Sequence, residues 1–139
     1  MEQTLAIIKP DGISAGLIGE IIRRIENDQM RIVAMRMEKL DQRRAEGFYY
    51  VHRGKPFFAS LIKYMTSAPV LVMVLQGTEI IKRWRELMGP TNPAQAAKGT
   101  LRGDFGTDIE HNIVHGSDSK DSAVYEINYF FKGSEIYQL

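Results

Sequence analysis

A chain of 139 residues has the length of one folding unit, and a composition 44% hydrophobic and 25% charged excludes a disordered or low-complexity polymer. The absence of cysteine excludes disulfides, thiolate nucleophiles and cysteine-ligated zinc, and fits a reducing compartment. Eighteen Lys and Arg against 17 Asp and Glu leave a net charge of +1, which makes no electrostatic case for nucleic acid or an anionic membrane. No segment reaches the ~20 apolar residues needed to span a bilayer. The start, Met1-Glu2-Gln3-Thr4, lacks the basic region of a signal peptide, so we expect a soluble cytoplasmic protein forming a single domain over 1–139.

In chain order, Leu5-Ala6-Ile7-Ile8 is a short apolar run stopped by Pro10-Asp11-Gly12, which predicts a buried strand feeding a turn. Leu17, Ile18, Ile21, Ile22 and Ile25 then recur at helical spacing. Met30 to Leu40 reads as a second strand, with Val33, Met35 and Met37 on one face and Ile32, Ala34, Arg36 and Glu38 on the other. Ala45, Phe48, Tyr49 and His52 fall on one helix face, Gly54 and Pro56 interrupt it, and helical spacing resumes from Phe57 to Met65, with Phe58 expected in the core. Val70 to Leu75 is apolar throughout, the pattern of a central strand covered on both sides. Thr78 to Met88 reads as a helix with Ile80, Ile81, Trp84, Leu87 and Met88 inward, ended by Gly89-Pro90.

From Pro90 to about Asn112 the periodicity fails. A loop of that length in a compact domain is usually functional or disordered, and Leu101, Phe105 and Ile109 favour a structured one. Ile113-Val114-His115 reads as a short last strand, and Ala123, Val124, Ile127, Phe130 and Phe131 mark a final helix. Strands and helices therefore alternate, and antiparallel pairing around Val70–Leu75 predicts an α/β (α+β) fold of the ferredoxin-like, split βαβ kind. A four-stranded antiparallel sheet would be covered by helices, with one long structured loop.

The common nucleotide signatures, a GxxxxGK[ST] loop or a GxGxxG after the first strand, are missing, so any phosphate must be held by side chains. Residues 78–103 carry five cations against two carboxylates, and residues 104–122 carry five carboxylates against one lysine. Arginine forks match phosphate oxygens, although such charges are also the ordinary furniture of a solvated face. His115 ends an apolar strand and precedes Gly116-Ser117-Asp118-Ser119, a placement that suits either a rigid nucleophile or base or a structural histidine. A zinc set of Glu110, His111 and His115 lacks the HExxH order, and a hydrolase built on Ser117 lacks the GxSxG elbow. Phe57, beside Lys55-Pro56, is either a core residue or a platform for a nucleobase.

Asn112-Ile113-Val114-His115-Gly116-Ser117-Asp118-Ser119 resembles the NxxHGSDS signature of the nucleoside diphosphate kinase family. Lys9-Pro10-Asp11-Gly12, Phe48-Tyr49 through His52 with Lys55-Pro56-Phe57-Phe58, Gly89-Pro90-Thr91-Asn92-Pro93 and Thr100-Leu101-Arg102-Gly103-Asp104-Phe105 resemble further family motifs in order along nearly the whole chain. The resemblance implies that His115 takes the γ-phosphoryl group of ATP and passes it to another nucleoside diphosphate, with broad tolerance of base and sugar. It implies that Phe57 and Ile109 flank the base, that Lys9 and Asn112 hold the ribose, and that His52, Arg85, Thr91 and Arg102 hold the phosphates. Tyr49 would lie near the transferred group, Glu126 would bond the non-attacking nitrogen of His115, and Ser117 would support the site. Mg2+ would arrive on the phosphates with little direct protein ligation, no nucleic acid or membrane would be needed, and the chain would assemble as a homo-oligomer, a tetramer or hexamer or else a dimer. Arg53-Gly54, Ile109 and Ser14-Ala15 depart from residues frequent in the family, none of them at the transfer chemistry.

Overall fold

A computed structural model describes residues 1–139. Strand β1 (Gln3–Ile8) is buried from Thr4 onward, and Pro10, whose missing N–H is no loss in a first turn, opens the short helix α1 (Pro10–Ser14). Helix α2 (Ile18–Asn27) buries Ile21 and Ile25 and leads to strand β2 (Arg31–Glu38). Helix α3 (Gln42–Phe48), capped by the Asp41 side chain, tightens into a 3-10 turn at Tyr50–His52 before helix α4 (Phe58–Met65). Strand β3 (Val70–Gln76), helix α5 (Ile80–Met88), helix α6 (Leu101–Phe105), strand β4 (Val114–Gly116) and helix α7 (Lys120–Phe130) complete the chain.

The strands form one sheet in the order β2-β3-β1-β4, with every pair antiparallel. Val70 through Leu75 are all buried, as a strand covered on both faces requires. The sheet and its helices share a core cluster of 32 buried residues. The α+β architecture read from the alternation is therefore present, with four antiparallel strands.

Three details differ from the pattern reading. In β2 the register shifts between Ile32 and Ala34, so Val33 is an inserted bulge residue. Val33 is buried, whereas Met35 and Met37 are each 52% exposed, and the three do not share a face. Helix α5 begins at Ile80 rather than Thr78, because Glu79 holds a left-handed φ of 49° that an α-helix cannot continue through. Phe58 packs against the core but is only half-buried.

The segment from Pro90 to Asn112 is ordered by its own contacts. It contains a 3-10 turn at Pro93–Gln95 and α6, which is capped by the Thr100 hydroxyl accepting from Gly103 N–H at 3.0 Å. Arg24 of α2 donates to Asp104 at 2.8 Å and lies over the Phe105 ring, tying the loop to the body. At α7 the side chains of Ser119 and Ser122 each accept from the other's backbone N–H, a reciprocal cap that fixes where the helix starts.

Strand β4 lies beside β1 with His115 opposite Ile7, and α5 crosses it closely because Gly116 has no side chain. A Cβ there would sit 2.6 Å from Trp84 Cδ1 and 2.7 Å from Met88 Cε. Met88 can swing aside, but the Trp84 ring is fully buried and cannot. Gly116→Ala is therefore expected to lower unfolding stability by about 1–3 kcal/mol, read as a fall in the urea midpoint at unchanged slope.

Candidate active site

Five elements converge on a cleft of about 400 Å³. The end of β1 supplies Lys9, the α3–α4 hairpin supplies Tyr49, His52, Phe57 and Leu61, and α5 supplies Arg85 and Met88. The long loop supplies Thr91, Arg102, Ile109, Glu110 and Asn112, and β4 with the following turn supplies His115, Gly116 and Asp118.

His115 sits in the floor. Its Nε2 lies 2.8 Å from Glu126 Oε1, and the same oxygen accepts from the Ser117 hydroxyl at 2.9 Å. Ser117 is fully buried and itself accepts from Leu5 N–H at 3.2 Å, which fastens this arrangement to the centre of the sheet. A carboxylate can only accept, so it places the imidazole proton on Nε2 and leaves a lone pair on Nδ1. Nδ1 has no hydrogen-bond partner within the chain. The rings of Phe48 and Tyr49 meet the imidazole edge-on, at centroid distances of 5.3 and 6.1 Å, and the Trp84 indole N–H donates to the His115 carbonyl at 3.2 Å. The ring can therefore neither tilt nor retreat without breaking several contacts.

The cations around it are unusually dry. Burial, then the neighbouring Arg102, lowers the Lys9 ammonium from 10.5 to about 8, and Lys9 Nζ donates to Asn112 Oδ1 at 2.7 Å. Burial, then Arg85, lowers the Arg102 guanidinium to about 10. Arg102 gives N–H groups to the carbonyls of Asn112, Gly89 and Val114 at 3.2, 2.9 and 2.7 Å, leaving two of its five donors unspent. Arg85 is more exposed and pairs with Asp118 at 2.6 Å. Burial and then Lys55 depress the His52 imidazole, whose buried Nδ1 has no partner. Burial pushes the Tyr49 phenol up, and its hydroxyl is likewise buried and unpartnered. Two orphaned polar atoms beside three cations describe a pocket completed by an anionic ligand with oxygen atoms.

At the mouth, Phe57 is 46% and Ile109 61% exposed, large apolar surfaces open to solvent, with the His52 ring 5.3 Å from that of Phe57. Asn112 is buried, and its amide N–H groups are committed to the carbonyls of Thr91 and Ile109 at 3.0 and 2.9 Å. The residues that the family resemblance singles out thus line the cleft, except Glu126 and Ser117, which stand behind His115. The zinc set does not form, because no three His, Asp or Glu side chains converge, and His111 Nδ1 turns instead to Asp108 at 3.0 Å. Sequence reasoning passed over Leu61, Met88, Glu110 and Asp118 as wall residues. Leu61 was findable, since it lies four residues beyond Phe57 on one helix face.

A family model described as nucleoside diphosphate kinase matches residues 2–136. A nucleoside diphosphate kinase of Desulfosudis oleivorans is 56% identical over 136 residues, covering 98% of both chains. One from Myxococcus xanthus is 53% identical over 137 residues, covering 99% of this chain and 94% of its own. Among solved structures, the Aquifex aeolicus nucleoside diphosphate kinase superposes with a TM-score of 0.96 at 44% identity, covering 98% of this chain and 99% of its own. The Halobacterium salinarum nucleoside diphosphate kinase, solved with CDP, superposes with a TM-score of 0.96 at 40% identity, covering 99% of this chain and 92% of its own. With the family matched along nearly its whole length, the chain belongs to the nucleoside diphosphate kinases and is a nucleotide phosphotransferase.

Proposed function

We propose that His115 carries the phosphoryl group between two nucleotides that occupy the cleft in turn. The observation that carries this reading is the 2.8 Å contact of His115 Nε2 with a carboxylate that Ser117 also holds, which leaves Nδ1 as the free nucleophile. In the first half-reaction the Nδ1 lone pair attacks the γ-phosphorus of ATP. The N–P bond forms, the bond from phosphorus to the β–γ bridging oxygen breaks, and ADP leaves with that electron pair. The imidazole becomes cationic, and Glu126 stabilises it through the Nε2 proton. In the second half-reaction a terminal oxygen of an incoming nucleoside diphosphate attacks the same phosphorus, and the electron pair returns to Nδ1. One pocket serves both steps, which is the economy of a covalent intermediate.

Lys9, Arg85 and Arg102 supply positive charge where the phosphoryl oxygens gather charge, while Thr91, His52 and Tyr49 supply further polar groups. Asn112, aligned by Lys9, and Lys9 itself would hold the ribose. Phe57 and Ile109 would sandwich the base. Stacking engages the π-face that every base has, so purine and pyrimidine nucleotides, ribo and deoxy, are expected substrates.

The carboxylates lining the cleft are Glu110 and Asp118, too few to build a metal cage. That donor set fits Mg2+ carried on phosphate oxygens with several waters retained, and Asp118, beside Arg85, is the side chain that would hold it. Bound there, the ion neutralises phosphate charge. Assembly into a homo-oligomer belongs to the same proposal, since edge strand β2 leaves Met35 and Met37 half-exposed.

Incubation with γ-labelled ATP is expected to leave an acid-labile label on the protein, and His115→Ala to abolish both label and turnover. An unlabelled wild type, or undiminished exchange in the variant, would refute the reading. Glu126→Ala is expected to lower kcat about 10²-fold with KM little changed, as steady-state kinetics with ATP and a diphosphate will read. Because the Lys9 ammonium titrates near 8, kcat/KM for ATP should fall as pH rises through that value, and Lys9→Met should flatten this limb of the profile. Stability runs the other way: between about 8 and 10.5 the unfolded lysine binds more protons than the folded one, so folding strengthens with rising pH.

A further inference from the structure

The Lys9-Pro10-Asp11-Gly12 corner supplies Lys9 to the cleft, yet the other residues of that motif point elsewhere. Asp11 and Gly12 meet Ile113, two residues before His115. Ile113 has a φ of 74°, a backbone region that a β-branched residue adopts only when its surroundings impose it. The Val114 N–H donates to the Asn112 carbonyl at 2.8 Å, closing a three-residue turn around Ile113. This turn lets the chain present both Asn112 and His115 to the cleft although they are only three positions apart along the sequence.

Both backbone polar groups of Ile113 are taken by the corner. Its N–H donates to Asp11 Oδ2 at 3.1 Å, and its carbonyl accepts from Lys9 N–H at 2.8 Å. The other Asp11 oxygen, Oδ1, accepts a short hydrogen bond from the Tyr64 hydroxyl, which in turn accepts from Asp11 N–H at 2.9 Å. Gly12 eases the approach, because a Cβ there would lie 2.7 Å from Ile8 Cγ2 and 3.3 Å from both Ile113 Cγ2 and the Ile113 carbonyl oxygen. Burial and the Asp11 carboxylate push the Tyr64 phenol up, so it stays a donor across the working range of pH.

We propose that Asp11 and Tyr64 are positioning residues for phosphoryl transfer, clamping Ile113 in its left-handed turn and so aiming His115 and Asn112. Neither lines the cleft, and both act through the backbone. The inference rests on His115 as the phosphoryl carrier. Asp11→Ala removes the acceptor for Ile113 N–H. Asp11→Asn keeps an oxygen that can accept it, and Tyr64→Phe keeps the ring but frees the carboxylate to swing.

The test is the rate of His115 labelling by γ-labelled ATP in rapid quench, divided by the number of sites that eventually label, with the thermal midpoint measured alongside. A merely structural role lowers the midpoint and the number of sites but not the rate per site. Expected are a loss of about tenfold or more per site for Asp11→Ala, about threefold for Tyr64→Phe, and recovery to near the wild-type rate for Asp11→Asn. A wild-type rate per site in Asp11→Ala overturns the proposal, as does an Asp11→Asn as slow as Asp11→Ala. If Asp11→Ala yields no folded protein, Tyr64→Phe decides, and a wild-type rate there overturns it. A wild type that takes no label would refute the phosphohistidine reading itself, a distinct result.

Discussion

One oxygen organises this protein. Glu126 Oε1 accepts from both His115 Nε2 and Ser117 Oγ, and Ser117 hangs from the β1 backbone. The arrangement joins α7, β4 and β1 at the floor of the cleft. A histidine with both nitrogens facing solvent would rotate and exchange tautomers. Here the ring has one orientation and one proton position, set by a carboxylate that cannot donate. The neighbouring structure serves that contact. The reciprocal serine cap fixes the start of α7, and therefore where Glu126 falls on the helix. Gly116 lets α5 approach β4 until Trp84 holds the His115 carbonyl.

The electrostatics of the cleft favour an anion. Lys9 and Arg102 are buried cations whose charged forms are disfavoured by lost water, so each is a stronger acid than in solution, and a nearby anion would stabilise its charge. Their protein partners are dipoles: an amide oxygen for Lys9 and three carbonyls for Arg102. Only Arg85 has a full counter-charge, Asp118, and that pair lies at the exposed wall, where exchange of one anion for another is inexpensive.

Much of this was legible from residue order. Period-2 and period-3.6 patterns place the strands and helices, and the continuous apolar run at Val70–Leu75 identifies the strand at the sheet's interior. The motif residues around His115 are brought to one cleft by the fold. What could not be read were effects of geometry between distant segments. No local pattern announces the bulge at Val33, which rotates Met35 and Met37 away from the face that strict alternation assigns them. The left-handed Glu79 delays α5 by two residues without any glycine to signal it. The Asp11–Tyr64 contact joins residues 53 apart, and Asp11 alone looks like an ordinary turn residue. Composition likewise says nothing of how far burial shifts Lys9.

Arg102 also has a mechanical meaning. Its guanidinium binds carbonyls at Gly89, Asn112 and Val114, the two ends of the long loop and the strand that bears the histidine. The ring of backbone so closed is a rivet: loop and strand travel as one piece. A ligand entering the cleft would therefore meet walls already in place, the work of ordering them having been done once, when the polypeptide folded.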